Sequence, residues 1–184
     1  DLARRDPRLR AENHGSLDDP RVHVVNADAM VWLSESRDSF DAVILDFPDP
    51  NNFSVGKLYS AELYRSVRAR LAPGAALVVQ STSPLFARRS FWCVIATLES
   101  VGFTVVPYRV FVPSFGEWGF ALAKLEPFAP PKLLPPAELG YLDASTLASL
   151  FELPRDVARV PTRVNRLDNQ ALVAYYADEW RRWE

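Results

Sequence analysis

Two carboxylates in a proline-framed stretch are the residues best suited to chemistry in this chain. Asp46 and Asp49 follow the apolar run of residues 42–45, and Pro48 and Pro50 are interleaved with them. Each proline fixes its own φ angle and pushes the preceding residue into an extended conformation, so we expect a stiff loop. Two carboxylates three residues apart on such a loop suit the binding of an amine. The alternative is that Asp46 caps a strand or a helix and that Asp49 belongs to a turn.

Polar residues also follow two other predicted strands. Residues 21–26 are rich in valine and precede Asp28, and the apolar residues 75–80 end in Gln80. Open α/β sheets bind ligands beyond the carboxyl ends of their strands, so Asp28, Asp46 and Gln80 are expected to converge on a nucleotide-type pocket. Two alternatives remain open: Asp28 is a plain helix N-cap, and Gln80 lies in solvent at a strand end.

The elements that would position these residues alternate between strands and helices. Apolar residues at helical spacing predict helices at residues 29–36, from residue 60 to Pro73-Gly74, around residues 91–98, at residues 144–151 and at residues 168–183. Residues 103–112 and 118–125 are β-rich and close in sequence, which predicts an antiparallel pair. The pattern therefore indicates an α/β fold, with a mostly parallel, doubly wound sheet and a terminal antiparallel hairpin.

A proline-rich stretch separates two predicted parts of the chain. Five prolines interrupt residues 126–136, so we predict one domain at residues 1–125, followed by a Pro-rich linker and a C-terminal helical tail at residues 126–184. The sequence begins with Asp1 rather than Met, and we expect it to be the C-terminal portion of something longer, with an N-terminal part of the domain missing.

Composition excludes several classes of function. The 184 residues carry a net charge of -2, which argues against nucleic acid as the main partner. The single Cys93 has apolar neighbours and is expected to be a buried, inert thiol in a reducing compartment, which predicts a cytoplasmic location. Two histidines and one cysteine, scattered along the chain, predict no zinc site. No Gly-rich phosphate fingerprint occurs, so a hydride-transfer dinucleotide enzyme is not supported.

Five motifs carry a resemblance to a known family. In order they are Asn26-Ala-Asp-Ala, Phe40-Asp-Ala-Val-Ile-Leu-Asp-Phe-Pro-Asp-Pro, Leu58-Tyr-Ser-Ala-Glu-Leu-Tyr, Val79-Gln-Ser and Val112-Pro-Ser-Phe-Gly-Glu-Trp-Gly-Phe. The chain resembles spermidine synthases, and in particular the bacterial branch of these polyamine aminopropyltransferases, in which a membrane region can precede the enzyme. The resemblance covers residues 1–125 and, more weakly, Val164-Asn-Arg-Leu-Asp.

The resemblance implies a Rossmann-like fold of the class I methyltransferase type. It also implies transfer of an aminopropyl group from decarboxylated S-adenosylmethionine, a co-substrate rather than a tightly bound cofactor, to putrescine, giving spermidine and methylthioadenosine. Asp46 matches the family's proton acceptor and, with Asp49, its diamine-binding stretch. Asp28 and Ala29 match the pair that holds the adenine. Gln80 matches a glutamine on the pocket wall.

The chemistry of an alkyl amine fits that assignment. Its pKa is near 10, so it is protonated at neutral pH and cannot attack until a base removes a proton. Asp46 would take this proton while Asp49 holds the diamine by charge-assisted hydrogen bonds. The leaving group is a sulfonium that becomes a neutral thioether, so nearby carboxylates can orient the cationic substrates without a metal.

The chain departs from the family pattern at three residues. Phe47 and Pro48 stand where the family usually has small hydroxyl residues, and Phe115 stands near an expected tyrosine that contacts the diamine. Phe115 is accordingly a candidate substrate-binding residue without a hydroxyl. These departures leave the acceptor open between putrescine and a related amine.

Other readings remain open at this point. A methyl- or alkyltransferase on the same fold would use S-adenosylmethionine with its carboxylate, and a catalytically silent assembly module would bind no adenosyl nucleoside. A homodimer, and a membrane region elsewhere in the natural protein, are compatible with the resemblance. The Gly-rich loop and ribose-binding acid of the family would precede Asp1, so we expect residues 1–184 alone to be inactive.

Overall fold

Four strands form one mixed sheet. The computed structural model describes residues 2–114 and 116–181. The strands are β1 (Phe40–Leu45), β2 (Leu71–Gln80), β3 (Thr104–Val112) and β4 (Gly116–Lys124), and their order across the sheet is β1-β2-β4-β3. Strands β1 and β2 are parallel, whereas the β2–β4 and β3–β4 pairs are antiparallel. The predicted α/β class and the terminal antiparallel hairpin are confirmed.

The helices connect and cover the strands. They are α1 (Leu2–Arg5), α2 (Pro7–Glu12), α3 (Ala29–Glu35), α4 (Phe53–Gly56), α5 (Ala61–Arg68), α6 (Arg88–Ser100), α7 (Ala144–Leu150) and α8 (Ala171–Trp180), with 3-10 turns at Ser16–Asp18 and Lys57–Tyr59. Side chains cap several of them: the Ser60 hydroxyl accepts a hydrogen bond from the amide of Leu63 at the start of α5. The C-terminal helix begins at Ala171, three residues later than predicted, and residue 183 lies outside the described residues.

The structure differs from the sequence-based prediction at residues 21–26. The predicted strand is wrong, because this segment is extended but forms no β-pairing with any described strand. Val24 and Val25 are 49% and 57% exposed. Valine content favours an extended backbone, but a strand also needs a neighbour to bond its amides and carbonyls, and that neighbour is not visible in local sequence.

Strand β2 begins earlier than predicted. It starts at Leu71, and its register against β1 shifts between the Leu71 and Ala76 pairings, so Pro73 and Gly74 lie in an irregular stretch within the strand. Gly74 has a φ angle of 78°, which glycine adopts without strain. The prediction that the Pro-Gly pair ends the preceding helix is therefore wrong: the helix ends at Arg68, and the pair lies within the strand that follows.

One face of the two central strands, β2 and β4, is buried. On β2, Leu77 and Val79 have no exposed surface, whereas Ala76 and Val78, which alternate with them, are half-buried. The buried face packs against α5 and α6, whose core side chains are equally inaccessible; they include Leu63, Tyr64, Val67, Phe91, Ile95 and Leu98. Within the described residues, no helix is long and apolar enough to cross a membrane.

Parallel pairing of β1 and β2 determines where the candidate site lies. Leu45 pairs with Val79, so Asp46 and Gln80 come one residue later on neighbouring strands at the same end of the sheet. The expected convergence of Asp46 and Gln80 follows directly from this register.

Candidate active site

The loop that follows β1 carries both carboxylates. Asp46 is exposed immediately after the strand, and Asp49 is half-buried three residues later. One oxygen of Asp49, Oδ2, accepts a hydrogen bond of 2.8 Å from the hydroxyl of Tyr176 on α8. The other oxygen, Oδ1, is buried and accepts no hydrogen bond from the described residues. An acceptor left over in this way is suited to an incoming cationic donor.

Tyr59 fixes the backbone between the two carboxylates. Its side chain is only 1% exposed, and its hydroxyl lies 2.9 Å from the carbonyl oxygen of Phe47 and 3.1 Å from that of Pro48. Burial, and then the charges of Asp49 and Asp46, raise the pKa of Tyr59 above its usual value, so the phenol stays protonated and donates. Residues 46–49 are therefore held through main-chain oxygens.

Gln80 continues the same hydrogen-bonded group. Its buried amide lies 2.9 Å from the Tyr59 hydroxyl. In the amide orientation that satisfies its neighbours, the nitrogen donates to Tyr59 and to the carbonyl of Phe47, and the oxygen accepts from the indole nitrogen of Trp118. Gln80 is thus buried in a network that joins β2, β4 and the carboxylate loop, and the alternative of a solvent-exposed strand end is wrong.

Asp28 lies at the start of α3 and makes two kinds of contact. Its Oδ1 accepts hydrogen bonds from the amides of Met30 and Val31, which makes it the N-cap, and its Oδ2 forms an ion pair of 2.8 Å with the ammonium of Lys57. Lys57 first, and the two amides after it, lower the pKa of Asp28, so it is ionised at neutral pH. Ala29 is the first helical residue beside it.

The 3-10 turn Lys57–Tyr59 links the predicted site residues to one another. Lys57 binds Asp28, while Tyr59 binds Gln80 and the backbone between Asp46 and Asp49. Sequence reasoning assigned no role to this turn, although Tyr59 lies in one of the motifs that carried the family resemblance. The sequence shows a tyrosine followed by the start of a helix. It does not show which residues this tyrosine contacts, because its partners lie 11 to 21 residues away along the chain.

An apolar cavity of about 350 Å³ lies against the uncovered side of β1. Ala29 and Phe47 line it together with Trp32 and Ile44, and no carboxylate of the described residues is among the lining side chains. It therefore suits an apolar occupant rather than an amine.

Phe115, the remaining predicted site residue, lies outside the described residues. No cluster of three potential metal ligands occurs in the described part of the chain.

Comparison with known proteins identifies relatives that match most of the chain. A family model described as the spermine/spermidine synthase domain matches residues 8–129. A polyamine aminopropyltransferase of Leptospira interrogans is 49% identical over 174 residues, which cover 95% of this chain and 35% of the relative. The polyamine aminopropyltransferase of Mycobacterium tuberculosis is 43% identical over 94% of this chain and 34% of its own length. The chain thus spans about a third of the length of these relatives.

Solved structures of the same fold are also similar. A spermidine synthase in complex with the transition-state analogue AdoDATO superposes with a TM-score of 0.67 at 26% identity, over 81% of this chain and 53% of that protein. The spermidine synthase of Thermotoga maritima gives a TM-score of 0.68 at 24% identity, over 85% of this chain and 54% of that protein. At this level of identity the similarity supports a shared fold and nothing further. The predicted Rossmann-like fold is confirmed by these similarities.

Proposed function

The chain belongs to the spermine/spermidine synthase family, and from that premise we propose that the natural protein transfers an aminopropyl group from decarboxylated S-adenosylmethionine to putrescine or a related amine. The products are spermidine, or the corresponding longer amine, and methylthioadenosine. The observation that carries the proposal is the pair Asp46 and Asp49 at the end of β1, with the backbone between them bound by Tyr59.

The reaction is a displacement at carbon. The neutral nitrogen of the amine forms a bond to the propyl carbon attached to the sulfonium, the carbon–sulfur bond breaks, and its electron pair stays on sulfur. Asp46 accepts the proton that the nitrogen loses, and it is exposed directly beside the strand end, where a substrate can reach it. No metal is required, because the leaving group departs neutral.

Asp49 has the role of orienting the diamine. Its buried Oδ1 has no hydrogen-bond partner among the described residues, and a charge-assisted hydrogen bond from a substrate ammonium to it would set the position of the chain that ends in the attacking nitrogen. Holding the loop by Tyr59 keeps the two carboxylates at a constant separation. Positioning of this kind lowers the barrier without any movement of the loop during the reaction.

The adenosyl end belongs to Asp28 and Ala29 in this proposal. Asp28 is ionised and is held by Lys57, so it can accept a hydrogen bond from the exocyclic amine of adenine. The amides of Met30 and Val31 both donate to Oδ1, whereas Oδ2 accepts only from Lys57 among the described residues and has capacity for a second donor. Gln80 and Phe115 complete the proposed substrate-binding residues.

The test is substitution of the base in the whole natural protein. Asp46→Asn should lower turnover by roughly a hundredfold or more, the usual range for a lost general base, with methylthioadenosine binding unchanged. Asp41→Asn, which changes an exposed carboxylate on β1, the strand that leads to Asp46, is the matched control and should retain activity. Turnover of Asp46→Asn within a few-fold of wild type would remove Asp46 from the mechanism.

The co-substrate that the protein uses distinguishes aminopropyl transfer from the alternative functions. Release of methylthioadenosine from decarboxylated S-adenosylmethionine supports aminopropyl transfer, whereas release of S-adenosylhomocysteine from S-adenosylmethionine would identify a methyltransferase. A catalytically silent module would bind neither. The inactivity of residues 1–184 alone, the cytoplasmic location, the homodimer and a membrane region elsewhere in the natural protein all stay predictions.

A further inference from the structure

The C-terminal helix reaches the carboxylate loop from far along the chain. Tyr176 on α8 donates its hydroxyl to Oδ2 of Asp49, 127 residues earlier, at 2.8 Å. Burial first, and then the Asp49 carboxylate, raise the pKa of Tyr176 above its usual value, so the hydroxyl remains a donor at neutral pH. Residues 130–184 lie beyond the match to the spermine/spermidine synthase domain, so this contact comes from a part of the chain that the domain does not describe.

Buried contacts fix α8 where it starts. Asn165 has no exposed surface; its side-chain nitrogen donates to the carbonyl of Gly56 at 3.0 Å, and its side-chain oxygen accepts from the amide of Leu172 at 3.2 Å. A Cβ atom at Gly56 would lie 2.3 Å from a methyl group of Val173, so α4 and α8 are in direct contact at a position that only glycine fits.

The other end of α8 is fixed as well. Glu179 is 6% exposed, and its carboxylate accepts hydrogen bonds from the amides of Arg89 and Ser90 at the start of α6. The guanidinium of Arg89 also pairs with Asp178 at 3.0 Å. Because both ends of the helix are anchored, the position of the Tyr176 hydroxyl against Asp49 is set by the fold and not by a mobile tail.

We propose that Tyr176 is a positioning residue of the amine site, and this rests on the proposed function. Its hydroxyl occupies Oδ2 of Asp49 and so directs Oδ1, which has no partner among the described residues, towards a primary alkyl ammonium. The chain has Phe115 near the position where a substrate-contacting tyrosine was expected, and Tyr176 on α8 brings a phenol to Asp49.

The alternative is that the Tyr176–Asp49 hydrogen bond only ties the helix to the loop. A tie of that kind would affect stability, and it would leave the affinity for the amine unchanged once the protein is folded. A positioning role predicts a specific change in the Michaelis constant for the amine. The two readings are therefore separated by which kinetic parameter moves.

The experiment compares two hydroxyl deletions on one helix turn in the whole natural protein. Tyr176→Phe should raise KM for the diamine by roughly tenfold, the order expected for one hydrogen bond to a charged group, with kcat within about threefold and methylthioadenosine affinity unchanged. Tyr175→Phe is the matched control: its hydroxyl accepts from the amide of Arg163 and its ring lies 4.1 Å from the Arg89 guanidinium, away from Asp49. It should leave KM for the diamine unchanged.

If Tyr176→Phe folds poorly, KM is still measurable on the folded fraction, because KM does not depend on the concentration of active enzyme, and a double variant adds a second test. Asp49→Asn should raise KM for the diamine at least as much, and adding Tyr176→Phe to it should raise KM no further, because the two residues act through one contact. Independent effects in the double variant, or an unchanged KM in Tyr176→Phe, would overturn the inference alone. A wild-type protein that transfers nothing to any diamine would overturn the proposed function and the inference with it.

Discussion

Removing one buried hydroxyl tests whether the carboxylate loop depends on Tyr59. The Tyr59 hydroxyl lies within 3.1 Å of two main-chain carbonyls and within 2.9 Å of the Gln80 amide. Tyr59→Phe keeps the ring and its packing but leaves these buried groups short of a partner. A net loss of about 2 kcal/mol follows, because a typical hydrogen bond contributes about 1 kcal/mol and an unsatisfied buried group costs about 1–3 kcal/mol.

That loss has two measurable consequences. The thermal midpoint should fall by roughly 4–8 °C, since about 1 kcal/mol corresponds to about 2–4 °C for a domain of this size. Turnover should fall by about tenfold or more, because Asp46 and Asp49 are no longer held at a constant separation. Methylthioadenosine affinity, measured by calorimetry, should stay within about twofold of wild type, because the proposed adenine contacts do not involve this hydroxyl.

Tyr64 supplies a closely matched control. It is also fully buried, five residues further on, but its hydroxyl has no hydrogen-bond partner among the described residues. Tyr64→Phe removes an unsatisfied polar group, so the thermal midpoint should be unchanged or slightly higher. Equal destabilisation by the two substitutions, or a Tyr59→Phe variant with wild-type midpoint and turnover, would refute the role given to the Tyr59 hydroxyl.

Two further substitutions test the adenosyl end and the C-terminal helix. Asp28→Ala should weaken methylthioadenosine binding roughly tenfold or more in calorimetry. Asp143→Ala, which removes the cap of α7, should leave that affinity unchanged. An unchanged affinity in Asp28→Ala would mean that Asp28 is only a helix cap. Glu179→Gln removes an acceptor from the amide and hydroxyl of Ser90 and should destabilise the protein by about 1.5–3 kcal/mol. The exposed Glu138→Gln should be neutral, and equal thermal midpoints for both variants would contradict the anchoring role.

Local sequence predicts well those elements that carry a clear signal within their own residues, such as a helix cap or a short apolar run. Helix α5 begins where Ser60 provides a cap, and β1 is a short apolar run, so both were predicted close to their observed positions. The segment of residues 21–26 was predicted as a strand but pairs with none of the described strands, because pairing depends on a neighbour that a valine-rich sequence does not reveal.

The site was predictable only in part, for a similar reason. Asp46 and Gln80 were expected together because parallel strands bring their carboxyl ends to one edge, and the register confirms it. Lys57, Tyr59 and Tyr176 were missed as members of the site. Their partners lie 29, 21 and 127 residues away, and a tyrosine or a lysine on a helix or turn has no spacing that distinguishes such a contact from an ordinary surface or core position.

The departures at Phe47 and Pro48 acquire a different meaning once the loop is seen. Tyr59 binds the carbonyl oxygens of these two residues and not their side chains, so small hydroxyl residues are not needed to hold the loop. The Phe47 ring instead packs edge-on against the Tyr59 ring, with centroids 6.0 Å apart, and lines the apolar cavity beside β1. Replacing the side chains between the carboxylates thus leaves their backbone support in place. In the proposed enzyme, a change of acceptor amine would then depend on residues that approach Asp49 from outside the loop, and Tyr176 is such a residue.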